Sequence, residues 1–203
     1  MKESYDSNVF INCPFDTEYA PLLEAAIFTV YCSGFLPRTT KNINDCGPTR
    51  IEKITYLIEN CQFGIHDLSR TELDEVNGLP RFNMPLELGL FLGAKRFGAP
   101  KHKSKETLIL TEKPHAHQKY LSDIAGQDPE SHYNEVKKLV TLIRDWLRPK
   151  VEHMPSGSIL FKYYSTFRRE LPSICHSSQL DLNELSYADF CEVVYQWIKN
   201  NNS

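Results

Sequence analysis

The chain has 203 residues, 41% apolar and 24% charged, which is enough to bury a core without a disulfide or metal staple and too apolar for a disordered segment. Lys and Arg number 23 against 26 Asp and Glu, a net charge of −3 that disfavours a phosphate-backbone binder; direct DNA binding is not expected, and a small nucleotide stays open. No run approaches the ~18 apolar residues of a spanning helix, the opening residues lack the apolar stretch of a secretory leader, and the six cysteines form no C-x-x-C pair. The expectation is a cytoplasmic protein with reduced thiols, without a membrane segment, zinc site or cofactor.

Val9-Phe10-Ile11 is a fully apolar run ending at Asn12-Cys13-Pro14, the pattern of a central parallel strand feeding a loop. Tyr19, Leu22, Leu23, Ala26, Ile27 and Val30 recur at helical spacing, with Asp16 or Thr17 placed to cap the start and Gly34 to end it. Phe35-Leu36 opens a second strand. Ile51, Ile54, Leu57 and Ile58 trace another amphipathic helix, with Pro48 suited to its first turn and Asp45 and Arg50 flanking its start as a surface ion pair. Residues 63–67 read as a third strand, and 68–83 as a long polar connection of the kind that carries function. A helix follows from Pro85, then a strand over 107–110 and a helix marked by Val136, Leu139, Val140, Ile143 and Leu147. Beyond Met154-Pro155-Ser156-Gly157, two helices are predicted over about 159–171 and 187–199, the second capped by Ser186.

This alternation predicts an α/β domain over residues 1–150, an open parallel sheet with helices on both faces, and a small helical extension over 151–203 suited to packing or oligomer contact. Ligands of such sheets sit beyond the carboxyl ends of the strands, which places Asn12 to Asp16, Arg38 and Asp67 to Arg70 on one rim.

Residues 83–94, Asn-Met-Pro-Leu-Glu-Leu-Gly-Leu-Phe-Leu-Gly-Ala, predict a helix apolar all round and therefore buried, with one carboxylate, Glu87, in its first turn. Such an acid suits catalysis at an oxocarbenium-like carbon; the alternative is a capping box with Met84 as cap and Pro85 as first residue, a use that burial would make wasteful. Gly89 and Gly93 read as sites of close helix–sheet packing. Asp67 reads as a ribose ligand or a turn former, and Asp16 as a cap. Asn12 and Arg70 are candidate ligand contacts, His66 a satisfied core histidine, Cys13 a buried hydrophobe, and the basic 101–105 cluster a solvated connection. His115 and His117 gain no carboxylate by spacing for a metal site.

Leu86-Glu87-Leu88-Gly89, on a helix after the third strand, resembles the x-E-L-G motif of the nucleoside 2-deoxyribosyltransferase family and related nucleotide N-glycosidases. The resemblance implies a flavodoxin-like, deoxyribosyltransferase-like sheet with Glu87 as the residue that attacks the anomeric carbon. The layout also resembles Toll/interleukin-1 receptor-like folds, whose enzymatic members hydrolyse NAD with a helix-borne Glu. Together with Gly64 to Arg70 and Asn12-Cys13-Pro14-Phe15-Asp16, the motif is similar to an uncharacterised bacterial branch of this superfamily. Where the transferases carry an Asp six residues before the Glu, this chain has Arg81, which favours a phosphate-bearing ligand.

On this reading Glu87 and Asp67 are catalytic, and Asn12, Pro14, Phe15, Asp16, Ser69, Arg70, Arg81 and Asn83 bind a nucleotide or NAD. The resemblance further implies a homo-oligomer acting as a bacterial antiphage-defence effector, with a defence-system partner protein. The alternative is a catalytically silent nucleotide sensor or scaffold that assembles on binding its ligand.

Overall fold

The structure, a computed structural model, describes residues 3–70, 82–119, 121–124 and 126–201. Its strands are β1 (Asn8–Asn12), β2 (Leu36–Arg38), β3 (Phe63–Asp67), β4 (Glu106–Thr111) and β5 (Glu130–Ser131). Its helices are α1 (Ala20–Cys32), α2 (Arg50–Asn60), α3 (Asn83–Phe97), α4 (Val136–Leu147), α5 (Gly157–Ser177) and α6 (Tyr187–Asn201). All strand pairs are parallel and the order is β2-β1-β3-β4-β5, a flavodoxin-like arrangement. The two-residue β5 was not foreseen, because a strand that short carries no alternation. The order reverses between β1 and β3, so a crevice opens where their carboxyl ends diverge.

The two faces of the sheet divide the core by strand periodicity. Val9, Ile11, Phe63, Ile65, Leu108 and Leu110 point toward α1 and α4. Phe10 packs with Ile54, Leu57, Ile58 and Phe91 of α2 and α3 on the other side. Helices α5 and α6 lie on α1 and α4 and share their apolar cluster: the Phe28 ring centroid is 5.4 Å from that of Phe167 and 5.7 Å from that of Trp197. The extension predicted for 151–203 is thus an outer helical layer over that side of the sheet. No helix of the described residues is long and apolar enough to cross a membrane.

Local chemistry sets most boundaries. Gly34, at φ +82°, follows the last turn of α1 in the left-handed region, where a side chain is strained. At the start of α2 the cap is Thr49, which forms a reciprocal capping box with Glu52, and Pro48 precedes that cap, outside the first turn it was expected to join. Ser186 accepts the Asp189 N–H at 3.2 Å and so begins α6 as predicted.

Helix α3 departs furthest from expectation. It begins at Asn83 with Phe82 as its cap, so Pro85 is the third residue, still within the turn whose N–H groups have no intrahelical acceptor. Glu87 therefore falls in the second turn, which removes the expected capping box and sets the carboxylate beyond the free amide donors of the first turn. Nor is α3 buried all round: Met84, Glu87, Leu88 and Phe91 face inward, while Phe82, Leu86 and Phe97 are 54%, 56% and 86% exposed. Gly89 and Gly93 lie on that outward side, where an added Cβ would meet nothing among the described residues within 4 Å. The glycine that permits close packing is Gly64 on β3, whose Cβ would come within 2.9 Å of Phe91 Cζ and 2.7 Å of His66 Nε2.

Candidate functional site

The carboxyl ends of β1 and β3 deliver two loops to the crevice, and α3 approaches from the α2 side. Asn12, buried at the end of β1, donates its amide to the Met84 carbonyl at 2.9 Å and hydrogen-bonds His66 Nδ1 at 3.0 Å. That side chain pins the first turn of α3 to the strand and thereby sets the depth at which Glu87 enters. With Nδ1 accepting from Asn12, His66 carries its proton on Nε2, which faces Gly64 and Phe91 and has no hydrogen-bond partner among the described residues. Burial depresses the His66 pKa to about 3, with the nearby Lys105 charge adding to it. The histidine is therefore neutral and only half satisfied, not the fully paired core residue expected.

Glu87 is 4% exposed, and its Oε1 lies 3.4 Å from a terminal nitrogen of Arg50, the first residue of α2. Burial raises its pKa and the guanidinium opposes that rise. Arg50 thus pairs with Glu87, and not with Asp45, whose Oδ1 instead accepts the Gly47 N–H at 2.9 Å. The same Arg50, more than half exposed, lines an open cleft of about 330 Å3 with Phe15, Thr40, Lys41, Pro48 and Lys53. The Lys41 ammonium sits 4.9 Å from the Phe15 ring centroid, and Lys53 Nζ donates to the Ile43 carbonyl at 3.1 Å. Three cations and one aromatic face around a partly open cavity are suited to an anionic ligand with a planar group. Lys41 and Lys53 were not singled out from sequence, since lone lysines in loops and helices have no pattern; only the fold gathers them.

Asp67 occupies the opposite face of β3 and is fully buried. Its carboxylate accepts from the Tyr19 hydroxyl, the Ser69 hydroxyl, the Ser69 N–H at 2.9 Å and His132 Nε2 at 2.9 Å. Burial pushes this acid up, but the hydrogen bonds from His132, Ser69 and Tyr19 prevail and hold it below the ordinary carboxylate value. His132 Nδ1 accepts the Asn134 N–H at 3.0 Å, so Nε2 carries the proton. Ser69 Oγ and Asp67 Oδ2 both contact that same Nε2, which leaves no free imidazole lone pair to take a proton from the serine. The Ser-His-Asp grouping is a locked network that fixes the 67–70 turn and not a nucleophilic triad.

The remaining rim residues divide between ligand-facing and structural positions. Pro14 is buried and Phe15 half-buried in the cleft wall. Asp16 Oδ1 accepts the Tyr19 N–H at 2.9 Å and so closes the turn that precedes α1; the cap itself is Tyr19, without a side-chain hydrogen bond, and not Asp16 or Thr17 as expected. Arg70 is held by Glu18 at 2.8 Å and Asp16 at 3.4 Å, which occupies the fork expected to bind phosphate. Asn83 is exposed at the head of α3, and Arg81 lies outside the described residues. Cys13 is buried beside Asp67, Lys41 and Glu87; desolvation drives its pKa well up, so it remains a thiol. Lys105, read as solvated, is wholly buried, its ammonium donating to the carbonyls of Ile58, at 2.5 Å, and Cys61 at the end of α2. Among the described residues, no three His, Cys, Asp or Glu side chains could hold a metal ion.

Set against known proteins, the chain finds no counterpart: no family model, no curated protein and no solved structure matches it.

Proposed function

We propose that the cleft binds a nucleotide or NAD and that Glu87 promotes cleavage of the bond between C1′ and the base. The observation that carries this reading is a carboxylate almost wholly removed from water, paired only at long range with a cation that also lines the cleft. A buried acid that serves stability alone is held by several short hydrogen bonds, as Asp67 is; Glu87 lacks them among the described residues and stays available to a developing positive charge.

The chemistry divides the cleft between Phe15 and the three cations. Phosphate oxygens meet Lys41, Arg50 and Lys53, and the base stacks against Phe15. As the C1′–N bond breaks, its electron pair leaves with the base and positive charge grows on the sugar carbon. The Glu87 carboxylate stabilises that carbon or bonds to it; water then supplies the hydroxyl and displaces any bond to Glu87, and its proton goes to the departing nucleobase or, where nicotinamide leaves neutral, to solvent. Asp67 acts by holding the 67–70 turn, so it is a positioning residue, while Arg50 tunes Glu87 and contacts the ligand.

The test is incubation of the purified protein with NAD and a panel of nucleoside mono- and diphosphates, with released base followed by chromatography. Base is expected from at least one compound with the wild type and not with Glu87→Gln. Equal release by both proteins removes Glu87 from the mechanism. Saturable binding with no release by either protein establishes the sensor instead.

A further inference from the structure

A second recess, of about 340 Å3, opens between α1, α5 and the 182–186 segment that leads into α6. Its volume lies at the lower end of the ~300–1,000 Å3 range of small-molecule sites. Leu23, Ile27, Leu171 and Phe190 of the shared apolar cluster supply its walls, and the exposed Leu182 stands at its edge. Charge gathers at one place in this lining. Arg168 of α5 forms an ion pair with Glu24 of α1, and Lys41 joins them from the short turn after β2. Two cations against one acid leave a net positive charge beside an apolar interior. Glu24 engages one terminal nitrogen of Arg168, whereas a guanidinium offers five N–H donors arranged as a fork. Burial raises the Glu24 pKa against the pull of Arg168, so the pair stands partly withdrawn from water, where a charge-assisted hydrogen bond gains strength.

We propose that this recess binds a small amphipathic carboxylate, a medium-chain aliphatic acid, with its chain against Leu23, Ile27, Leu171 and Phe190 and its carboxylate at Arg168 and Lys41. The division of the lining selects this chemistry. A ligand polar throughout would set its hydrogen-bonding groups against hydrocarbon, and a neutral apolar one would forgo both cations. An amine meets two like charges and an acid that is already engaged. Lys41 also lines the Glu87 cleft, with its ammonium 4.9 Å from the Phe15 ring centroid, and its flexible four-carbon stem lets it serve either side. The two cavities therefore share a wall residue. What binds in the recess is independent of what Glu87 does.

Isothermal titration of the full chain with octanoate, up to ~10 mM, is expected to show saturable single-site binding, and the melting temperature should rise with octanoate concentration. 1-Octanol, equal in chain and without charge, should bind at least ~10-fold more weakly, and octylammonium should not saturate. Lys41→Gln and Arg168→Gln are each expected to weaken octanoate at least ~3-fold, and the pair together at least ~10-fold. Ala20→Phe keeps every charge and puts a ring into the recess from the first turn of α1, so it should abolish binding in a protein that still melts cooperatively. Amide shifts induced by octanoate should map to residues 20–27, 168–171 and 182–190. Absence of saturable binding up to ~10 mM overturns the proposal. So does octanol or octylammonium binding as tightly as octanoate, or unchanged affinity in a folded Ala20→Phe protein.

Discussion

Two buried carboxylates, one on each face of the sheet, behave oppositely, and their titrations separate them. Asp67 gains more from its hydrogen bonds than it loses to burial, so its folded pKa lies below the unfolded one and its stabilisation is present above the ordinary Asp range. That contribution disappears as pH falls through the depressed value. Asp67→Asn is expected to lose about 2–4 kcal/mol of stability by urea unfolding at pH 7, with the gap to wild type narrowing under strong acid. Glu87 has the reverse sign. Its folded pKa is raised, so the cost of keeping it ionised appears as pH climbs from the ordinary Glu range through the raised value. Glu87→Gln should therefore melt no lower than wild type at pH 7 while losing at least ~100-fold in base release, the signature of a residue kept for chemistry. A lower melting temperature with activity retained would assign it to structure instead. The sequence exposed Glu87 as a lone acid among apolar neighbours, but its partner Arg50 is 37 residues distant and appears only when α2 is placed against α3.

At the scale of elements, the strands and helices with strong periodicity were legible, and what escaped were close approaches. β3 runs Phe-Gly-Ile-His-Asp, and nothing in that string says that Gly64 is the point where Phe91 of α3 nearly touches the sheet. The glycine lets the ring settle deep, which in turn sets how far α3 slides along β1 and where Glu87 stands. Gly64→Ala is expected to cost about 1–3 kcal/mol by denaturant unfolding, because the methyl overlaps both Phe91 and His66 in a packed interior. If the alanine variant matches wild type, the depth of α3 is governed by the Asn12 to Met84 hydrogen bond alone. Lys105 escaped for a related reason: within Lys-His-Lys-Ser-Lys it looks like any solvated cation, and only the position of the last turn of α2 draws it inside. The start of α3 was misplaced by two residues, since a proline at the first helical position and one at the third satisfy the same donor rule.

Across the whole molecule, the C-terminal helices decide whether the sheet can stand by itself. The sequence marked a break near Met154 to Gly157 and suggested an appendage, yet Leu160, Phe167, Leu171, Phe190, Val194 and Ile198 are buried in the same cluster as α1 and α4. Each such side chain contributes roughly 1.5–3 kcal/mol by leaving water, so the layer supplies on the order of 10 kcal/mol, comparable with the 5–15 kcal/mol that separates folded from unfolded domains. Removing residues 157–203 would also uncover Phe28 and Ile143, both essentially inaccessible in the intact chain. The truncated protein is expected to keep far-ultraviolet helical signal, lose near-ultraviolet aromatic structure and bind a hydrophobic dye, or to precipitate. A fragment ending at residue 156 that unfolds cooperatively near the wild-type midpoint would show that 151–203 is an independent appendage after all. Because α1 begins at the Asp16 turn, which contacts Arg70, the layer that steadies α1 also steadies the rim of the crevice. Stability and ligand binding should consequently fall together in any variant that loosens α5 or α6, whereas Glu87→Gln separates them.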